Sequence, residues 1–169
     1  MMNNNIDLVI FGARGDLSKR KLFPALYQLD KAGLLADSVR IAGVAREDMD
    51  SVSFIKQMHE SLQATLDTAD WDDVVWKKFS QRLQYIRIDF SQKKQFSALK
   101  DWSLEKRTMI YYMATPPSIF GSICKHLDEA GCVGKTSRIV LEKPIGHDLH
   151  SSQEVNDTVG RYFPERNIY

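Results

Sequence analysis

The 169-residue sequence predicts an α/β fold: a doubly wound parallel sheet with helices on both faces, in three α/β/α layers. Three observations carry that expectation. Strand-like apolar runs alternate with amphipathic, helix-like segments along the chain. The first apolar run, residues 8–11, ends in two glycines three apart, Gly12 and Gly15, and passes straight into a charged helical pattern. The turns with the most unusual chemistry all follow strand-like runs. Right-handed crossovers gather strand C-terminal ends along one edge, where ligands bind near a topological switch point.

The elements follow in order. Residues 7–11 form the first candidate strand, and the glycine turn follows. Leu22, Leu26 and Leu29 then fall on one face of a first helix. Pro24 interrupts its start, so a separate turn is expected there, and Gly33 follows its end as a C-terminal glycine should. The second strand covers 39–45. The long connection 47–81 holds two helices, one near 52–66 and one around Trp71, Val75 and Phe79. A third strand spans 83–89 and leads to a helix around Phe96 and Leu99. The fourth strand covers 108–113. Pro116-Pro117-Ser118 then starts a helix that reaches about Ala130. A fifth strand spans 137–141 and a last helix 151–162, and Asn167-Ile168-Tyr169 begins another strand.

Composition excludes several classes of function. Charged residues make up 27% and hydrophobic ones 43%, which is ordinary for a soluble globule, and the formal net charge of +1 gives no electrostatic argument for nucleic acid or a membrane surface as partner. No apolar stretch approaches the roughly 20 residues of a membrane span. The opening Met1-Met2-Asn3-Asn4-Asn5 lacks the basic and apolar regions of a signal peptide. Cys124 and Cys132 suggest no disulfide framework, and a reducing cytoplasm is the expected location. His147 and His150 have no companion ligands at metal-site spacing, so no metal is expected. Trp71, Trp76 and Trp102 read as packing residues, and Lys19-Arg20-Lys21 as a short solvated run whose first member lies close enough to the glycine turn to help hold phosphate.

The chemistry-bearing turns point to a nucleotide. A strand-to-helix turn exposes backbone N–H groups, and the helix dipole favours an anion there. Glycines at the turn let a diphosphate approach the backbone. The turn is not a Walker phosphate loop, because no G-K-[ST] ending is present. The second strand ends in Ile41-Ala42-Gly43-Val44-Ala45-Arg46. An acidic residue there would hold the ribose hydroxyls of NAD, whereas arginine pairs with a 2′-phosphate, so NADP is favoured. Glu47 and Asp48 come next and could cap the following helix or contact a ribose. Thr115-Pro116-Pro117 ends the fourth strand and could hold the far half of a cofactor. Glu142-Lys143-Pro144-Ile145-Gly146 closes the fifth, where a lysine would meet both cofactor and an anionic or polyhydroxylated substrate.

Taken together, G-A-R-G-D-L-S-K-R-K at 12–21, G-V-A-R at 43–46, Y-M-A-T-P-P at 112–117 and R-I-V-L-E-K-P-I-G at 138–146 resemble the coenzyme domain of glucose-6-phosphate dehydrogenases. The resemblance covers essentially the whole chain, making 1–169 one NADP-binding, Rossmann-like domain. It implies oxidation of glucose 6-phosphate to 6-phosphogluconolactone, the first step of the pentose phosphate pathway, with hydride transfer to NADP. By matching positions, Gly12, Ala13, Arg14, Gly15, Asp16, Leu17, Ser18 and Lys19 would surround the diphosphate. Arg46 would hold the adenosine 2′-phosphate, and Asp89 and Phe90 would line the adenosine side. Lys143 would contact both cofactor and substrate, beside a cis Pro144. Phe120 stands where some relatives carry tyrosine, which removes a hydroxyl near the cofactor.

The resemblance also sets limits. Family members continue into a motif like R-I-D-H-Y-L-G-K, which supplies substrate-phosphate contacts. A histidine–aspartate general base and a β-rich substrate and dimerisation domain lie further on. None of these occurs in the 169 residues, so the chain reads as a cofactor-binding fragment of a homo-oligomeric parent, without a catalytic residue of its own. Three rival readings remain at this point: a nucleotide-sensing or regulatory module without catalysis, an interaction protein that keeps the fold but not the site, and an NADP-dependent dehydrogenase of a different sugar.

Overall fold

A computed structural model describes residues 5–169; the polar opening read above falls partly on residues 1–4, which lie outside the described residues. Five parallel strands form one sheet in the order β3-β2-β1-β4-β5. They are β1 (Ile6–Phe11), β2 (Arg40–Ala45), β3 (Leu83–Arg87), β4 (Thr108–Met113) and β5 (Arg138–Leu141). β1 pairs with β2 on one side, from Asp7 opposite Arg40 to Phe11 opposite Val44. On its other side it pairs with β4, from Ile6 opposite Thr108 to Phe11 opposite Met113. The chain therefore winds one way from β1 to β3 and the other way from β4 to β5, which places the switch point between β1 and β4.

The strands are near-continuous apolar runs because both faces are covered. On one face Ile10, Ile41 and Tyr85 pack against Phe23, Tyr27, Phe54, Met58 and Phe79. These come from α1 (Phe23–Lys31), α2 (Ser51–Thr65) and α3 (Asp73–Ser80). On the other face Phe11, Val44, Tyr111 and Ile139 pack against Leu99, Ile123, Leu127 and Val159. These belong to α4 (Ser97–Trp102), α5 (Phe120–Glu129) and α6 (Leu149–Gly160). The three-layer, Rossmann-like expectation holds.

Several element readings change in detail. The separate turn expected before the first helix is a π-helical turn, Ser18–Leu22, that runs into α1 with Pro24 in its first turn. The buried stripe of α1 is Phe23, Leu26, Tyr27 and Asp30, and Leu29 is exposed rather than part of that face. Two aromatic side chains take the core stripe, and Leu22, in the π turn, is out of step with the α-helical period. β3 ends at Arg87, not at residue 89. Ile88 still donates to the Ala45 carbonyl at 2.9 Å, but Asp89 enters a turn in which its carboxylate accepts from Ser91 N–H at 2.9 Å.

The last helix starts two residues earlier than expected, because Asp148 and Ser151 form a capping box. In place of the strand expected at 167–169 there is a single parallel bridge between Ile168 and Ile139, after a 3-10 turn at Glu165–Asn167. Tyr169 N–H donates to the Ile139 carbonyl at 2.9 Å, and Leu141 N–H to the Tyr169 carbonyl at 2.8 Å.

Candidate coenzyme site

The site grows from the end of β1. Gly12 has φ +82°, and a Cβ there would lie 2.4 Å from the Ala114 carbonyl oxygen at the end of β4. Only glycine meets both demands. The N–H groups of Gly12 and Ala13 both donate to Val44 O, at 3.0 and 3.2 Å, which ties the turn to β2. Gly15 N–H closes the turn on Gly12 O at 3.0 Å, and the buried Ser18 hydroxyl donates to the same oxygen at 2.9 Å. With φ in the ordinary range, Gly15 is exposed, and a Cβ there would meet only Gly12 O at 3.3 Å. Its bareness serves the outer side of the turn rather than internal packing.

The helix that leaves this turn has no side-chain cap, whereas α2, α3 and α6 each start on an aspartate that accepts from backbone N–H groups. The first N–H donors of an uncapped helix start are available to an anion. Asp16 is exposed at the helix entry, Leu17 and Lys19 are half-buried, and Lys19 N–H donates to Gly15 O at 3.1 Å.

At the end of β2 the charges sort themselves. Glu47 pairs with Arg14, Oε1 to Nη1 at 3.2 Å, and Asp48 pairs with Arg87 at 3.3 Å. The loop backbone is held by the Tyr85 hydroxyl, which donates to Glu47 O at 2.7 Å, and by Arg87 Nε, which donates to Arg46 O at 3.2 Å. Arg46 is exposed, and its guanidinium makes no hydrogen bond or ion pair among the described residues. Its field reaches Asp89, whose carboxyl is held below the ordinary value first by the Ser91 hydroxyl and backbone and last by Arg46. Phe90 is half-buried, with its ring edge-on to Phe11 at 5.5 Å and its carbonyl 3.1 Å from His126 Nδ1. Thus Asp89 and Phe90 lie just beyond the C-terminal end of β3, and much of their contact is internal.

Across the switch point a cleft of about 640 Å³ opens between the ends of β4 and β5 and the face of α6. Leu17 of the glycine turn, Thr115 to Pro117, Glu142 to Gly146 and Thr158 line it. Lys143 is exposed in its wall, and Lys143–Pro144 is the one cis peptide bond among the described residues; the Thr115–Pro116 bond is trans. Phe120 is fully buried beneath the cleft, in keeping with the absence of a hydroxyl there.

One cleft contact escapes the sequence reading. The Tyr112 hydroxyl donates to Glu142, and burial, then that carboxylate, raises the phenol's pKa well above its ordinary value, so Tyr112 stays a donor. The only sequence signal is that Tyr111 and Tyr112 alternate on β4, which turns one into the core and the other toward the opposite face. His147 lines the cleft as an exposed residue, and His150 pairs with Glu154 at 3.6 Å on α6. Neither belongs to a metal cluster, and no group of three or more ligating residues occurs among the described residues. Cys124 and Cys132 are buried and free, with thiols pushed up by burial to about 12 and about 11.

A dinucleotide fits these residues. Two buried side-chain polar atoms lack a hydrogen-bond partner among the described residues, Arg14 Nε and Thr115 Oγ1, and both lie on this edge. Folded proteins leave few such groups, since each costs on the order of 1–3 kcal/mol when unmet. Together with the exposed guanidinium of Arg46, the uncapped helix start and the ammonium of Lys143, they form a run of donors matched to a long polyanion.

Comparisons with known proteins place the chain in a family. Residues 9–169 match the family model described as "Glucose-6-phosphate dehydrogenase, NAD binding domain". The chain is 42% identical over 164 residues to glucose-6-phosphate 1-dehydrogenase of Dickeya dadantii, covering 96% of this chain and 33% of that protein. It is 40% identical over 167 residues to the enzyme of the same name from Gluconobacter oxydans, covering 96% and 34%. Among solved structures, glucose-6-phosphate 1-dehydrogenase from Mycobacterium avium superposes with a TM-score of 0.89 at 32% identity, covering 97% of this chain and 35% of that one. A glucose-6-phosphate dehydrogenase in complex with its substrate glucose-6-phosphate gives 0.85 at 29%, covering 98% and 36%. The chain thus spans about a third of the length of the curated relatives it matches. No described helix is long and apolar enough to cross a membrane. With a family model matched over nearly every residue and the fold shared throughout, the chain belongs to the glucose-6-phosphate dehydrogenase family, as the N-terminal, coenzyme-binding domain.

Proposed function

We propose that residues 1–169 form an NADP-binding domain and serve as the coenzyme half of an enzyme that oxidises glucose 6-phosphate to 6-phosphogluconolactone, the first step of the pentose phosphate pathway. One observation carries the choice of NADP. At the end of β2 both carboxylates already have arginine partners, and the guanidinium without one is Arg46. That is the charge distribution a 2′-phosphate needs and a bare ribose does not.

In this reading the turn Gly12 to Lys19 takes the diphosphate, with Ala13, Arg14, Gly15, Asp16, Leu17 and Ser18 around it. The Asp16 and Leu17 N–H groups at the helix start face the anion, while those of Gly12, Ala13 and Gly15 hold the turn itself, and Arg14 Nε gains a partner. Arg46 takes the 2′-phosphate, beside Asp89 and Phe90. The nicotinamide half lies in the cleft across the switch point, where bound NADP supplies the hydride acceptor. There Thr115 Oγ1 donates or accepts one hydrogen bond, the Tyr112 hydroxyl fixes the Glu142 carboxylate, and Lys143 reaches both coenzyme and sugar phosphate. The hydroxyl proton of the sugar goes to a base outside these residues, so the 169 residues bind coenzyme without turning it over. The same reading places the protein in the cytoplasm, with a small phosphorylated sugar rather than nucleic acid or membrane as partner, in a homo-oligomeric parent.

Separate calorimetric titrations with NADP, NAD and FAD test this. NADP is expected to bind, NAD more weakly and FAD not at all. Adding glucose 6-phosphate to the NADP complex is expected to give no NADPH. Failure to bind NADP, or tighter binding of FAD, overturns the coenzyme assignment; sugar-dependent NADPH formation by the purified chain overturns the placement of the base.

A further inference from the structure

One wall of the cleft is held differently from the rest. Residues 115–117 and 142–146 continue directly from strands, whereas the facing wall is α6, and of its 12 residues only Val159 is buried. Two glycine contacts fix the helix instead. At its start, a Cβ on Gly146 would lie 2.6 Å from both Ser151 Oγ and Ser152 N, so the turn after Pro144 sits directly against the helix backbone. Near its end, a Cβ on Gly121 of α5 would lie 2.6 Å from Thr158 Cγ2. Both glycines have φ in the ordinary range, so closeness rather than backbone conformation excludes a side chain. The Thr158 methyl is also held in place. Its hydroxyl donates to Glu154 O at 2.7 Å, and a rotation that moved the methyl would break that bond. Gly121 and Thr158 both line the cleft.

From this geometry we infer that Gly121 sets the width of the cleft, as the stop against which α6 rests, and thereby positions the nicotinamide half of the coenzyme. With the start of α6 fixed at Gly146, the tilt of the helix is decided where Thr158 meets Gly121. Carbon atoms pack at about 3.5–4.0 Å, so a methyl at position 121 pushes Thr158 outward by about 1 Å. Ser151, Glu154 and Val155 line the same wall and move with it, because the helix has a single buried residue to resist the push. The adenosine half, beside Arg46 on the other side of the switch point, is left alone. The inference rests on the reading that the nicotinamide half lies in this cleft.

The test is Gly121→Ala, with calorimetric titration of NADP and of adenosine 2′,5′-bisphosphate, which carries the adenosine and the 2′-phosphate but no nicotinamide. Gly121→Ala is expected to weaken NADP roughly tenfold and to leave adenosine 2′,5′-bisphosphate within about twofold of wild type. Adding Thr158→Ser removes the blocking methyl and keeps the hydroxyl; the next atom of residue 158 is Cβ, at an ordinary 3.8 Å. The double variant is expected to recover NADP binding to within about threefold of wild type. Gly160→Ala, on the same helix with nothing within 4 Å of its Cβ, is expected to bind NADP as wild type does. Wild-type NADP affinity in Gly121→Ala, equal loss of both ligands, or a double variant as weak as the single one overturns the inference while the coenzyme assignment stands. If Gly121→Ala does not fold, the double variant decides: NADP affinity within about threefold of wild type is expected, and a loss of about tenfold overturns the inference. If wild type binds neither ligand, the coenzyme assignment falls and the inference with it.

Discussion

The two edges of the sheet use the same residue types in opposite ways. At the N-terminal edge the charges are buried and matched. Asp7, fully buried at the start of β1, accepts from Arg40 Nε at 2.8 Å and Arg107 Nε at 2.6 Å. Arg107 also donates to Ile6 O at 2.9 Å, and Arg40 lies over the Trp102 ring at 4.1 Å. Asp30, at the end of α1, meets Arg82 through two hydrogen bonds of 2.9 Å, and Arg82 donates to Ala36 O and Val39 O at 2.7 and 3.0 Å. At the C-terminal edge Arg46 and Lys143 are exposed, and Arg14 and Thr115 each keep an unpartnered buried atom. Charge that the fold has already satisfied holds the molecule together. Donors that the fold leaves unmet gather where five parallel strands end, the edge at which the coenzyme is proposed to lie. Pairing, rather than charge alone, separates the two roles.

The sharpest way to break this comparison is at the N-terminal edge. Asp7→Ala strands two arginines against one buried position and is expected to lower unfolding stability by about 3–5 kcal/mol, read by urea denaturation. NADP affinity of the fraction that stays folded should not change, since Asp7 lies at the far end of β1 from the glycine turn. A loss below about 1 kcal/mol would mean that the buried cluster is not what holds that edge.

A smaller effect of opposite sign is expected across the sheet. Thr115→Val replaces the unpartnered hydroxyl with a methyl of similar size. The free chain is expected to gain about 1 kcal/mol in stability, while NADP binding weakens by about 0.5–1.5 kcal/mol. Thermal melts with and without NADP read both. A variant less stable than wild type without ligand would show that the hydroxyl is already satisfied within the fold.

The smallest effect concerns pH. Asp148 caps α6, which lines the cleft, and its carboxyl is held below the ordinary 3.8 first by the Ser151 backbone N–H and then by the Ser151 hydroxyl. The depressed folded value means that the cap contributes fully above the ordinary carboxylate pKa. Its contribution is lost as pH falls through the lower, folded value. Asp50 on α2 behaves alike, with Ser53 as donor. Hydrogen exchange at the Ser151 and Ser53 amides should therefore speed up below about pH 4 relative to amides in the strand centres. Equal protection of these amides across that range would contradict it.

The ligand edge was far more legible in the sequence than the stabilising edge. Gly12 and Gly15, Arg46 and Lys143 each sit next to a strand end in the chain, so local pattern places them without knowledge of strand order. The opposite edge depends on contacts between Asp7 and Arg40, Asp30 and Arg82, and Asp7 and Arg107, which lie 33, 52 and 100 residues apart. Nothing local announces them, because the partners meet only once the sheet order is fixed. The pairing of Glu47 with Arg14 was hidden for the same reason: the two residues stand on different loops that β1–β2 pairing brings together. Leu29 was misplaced because the π turn before α1 and the bulk of Phe23 and Tyr27 decided which stripe faces the core.

The central claim is that the unmet guanidinium of Arg46 selects a 2′-phosphate. The direct measurement is calorimetric titration of wild type and Arg46→Ala with NADP and with NAD. Loss of one charge-assisted pair predicts that NADP weakens by about 1.5–3 kcal/mol, on the order of tenfold to a hundredfold, while NAD and unfolding stability stay nearly unchanged. Equal weakening of the two coenzymes, or none of either, would contradict the account.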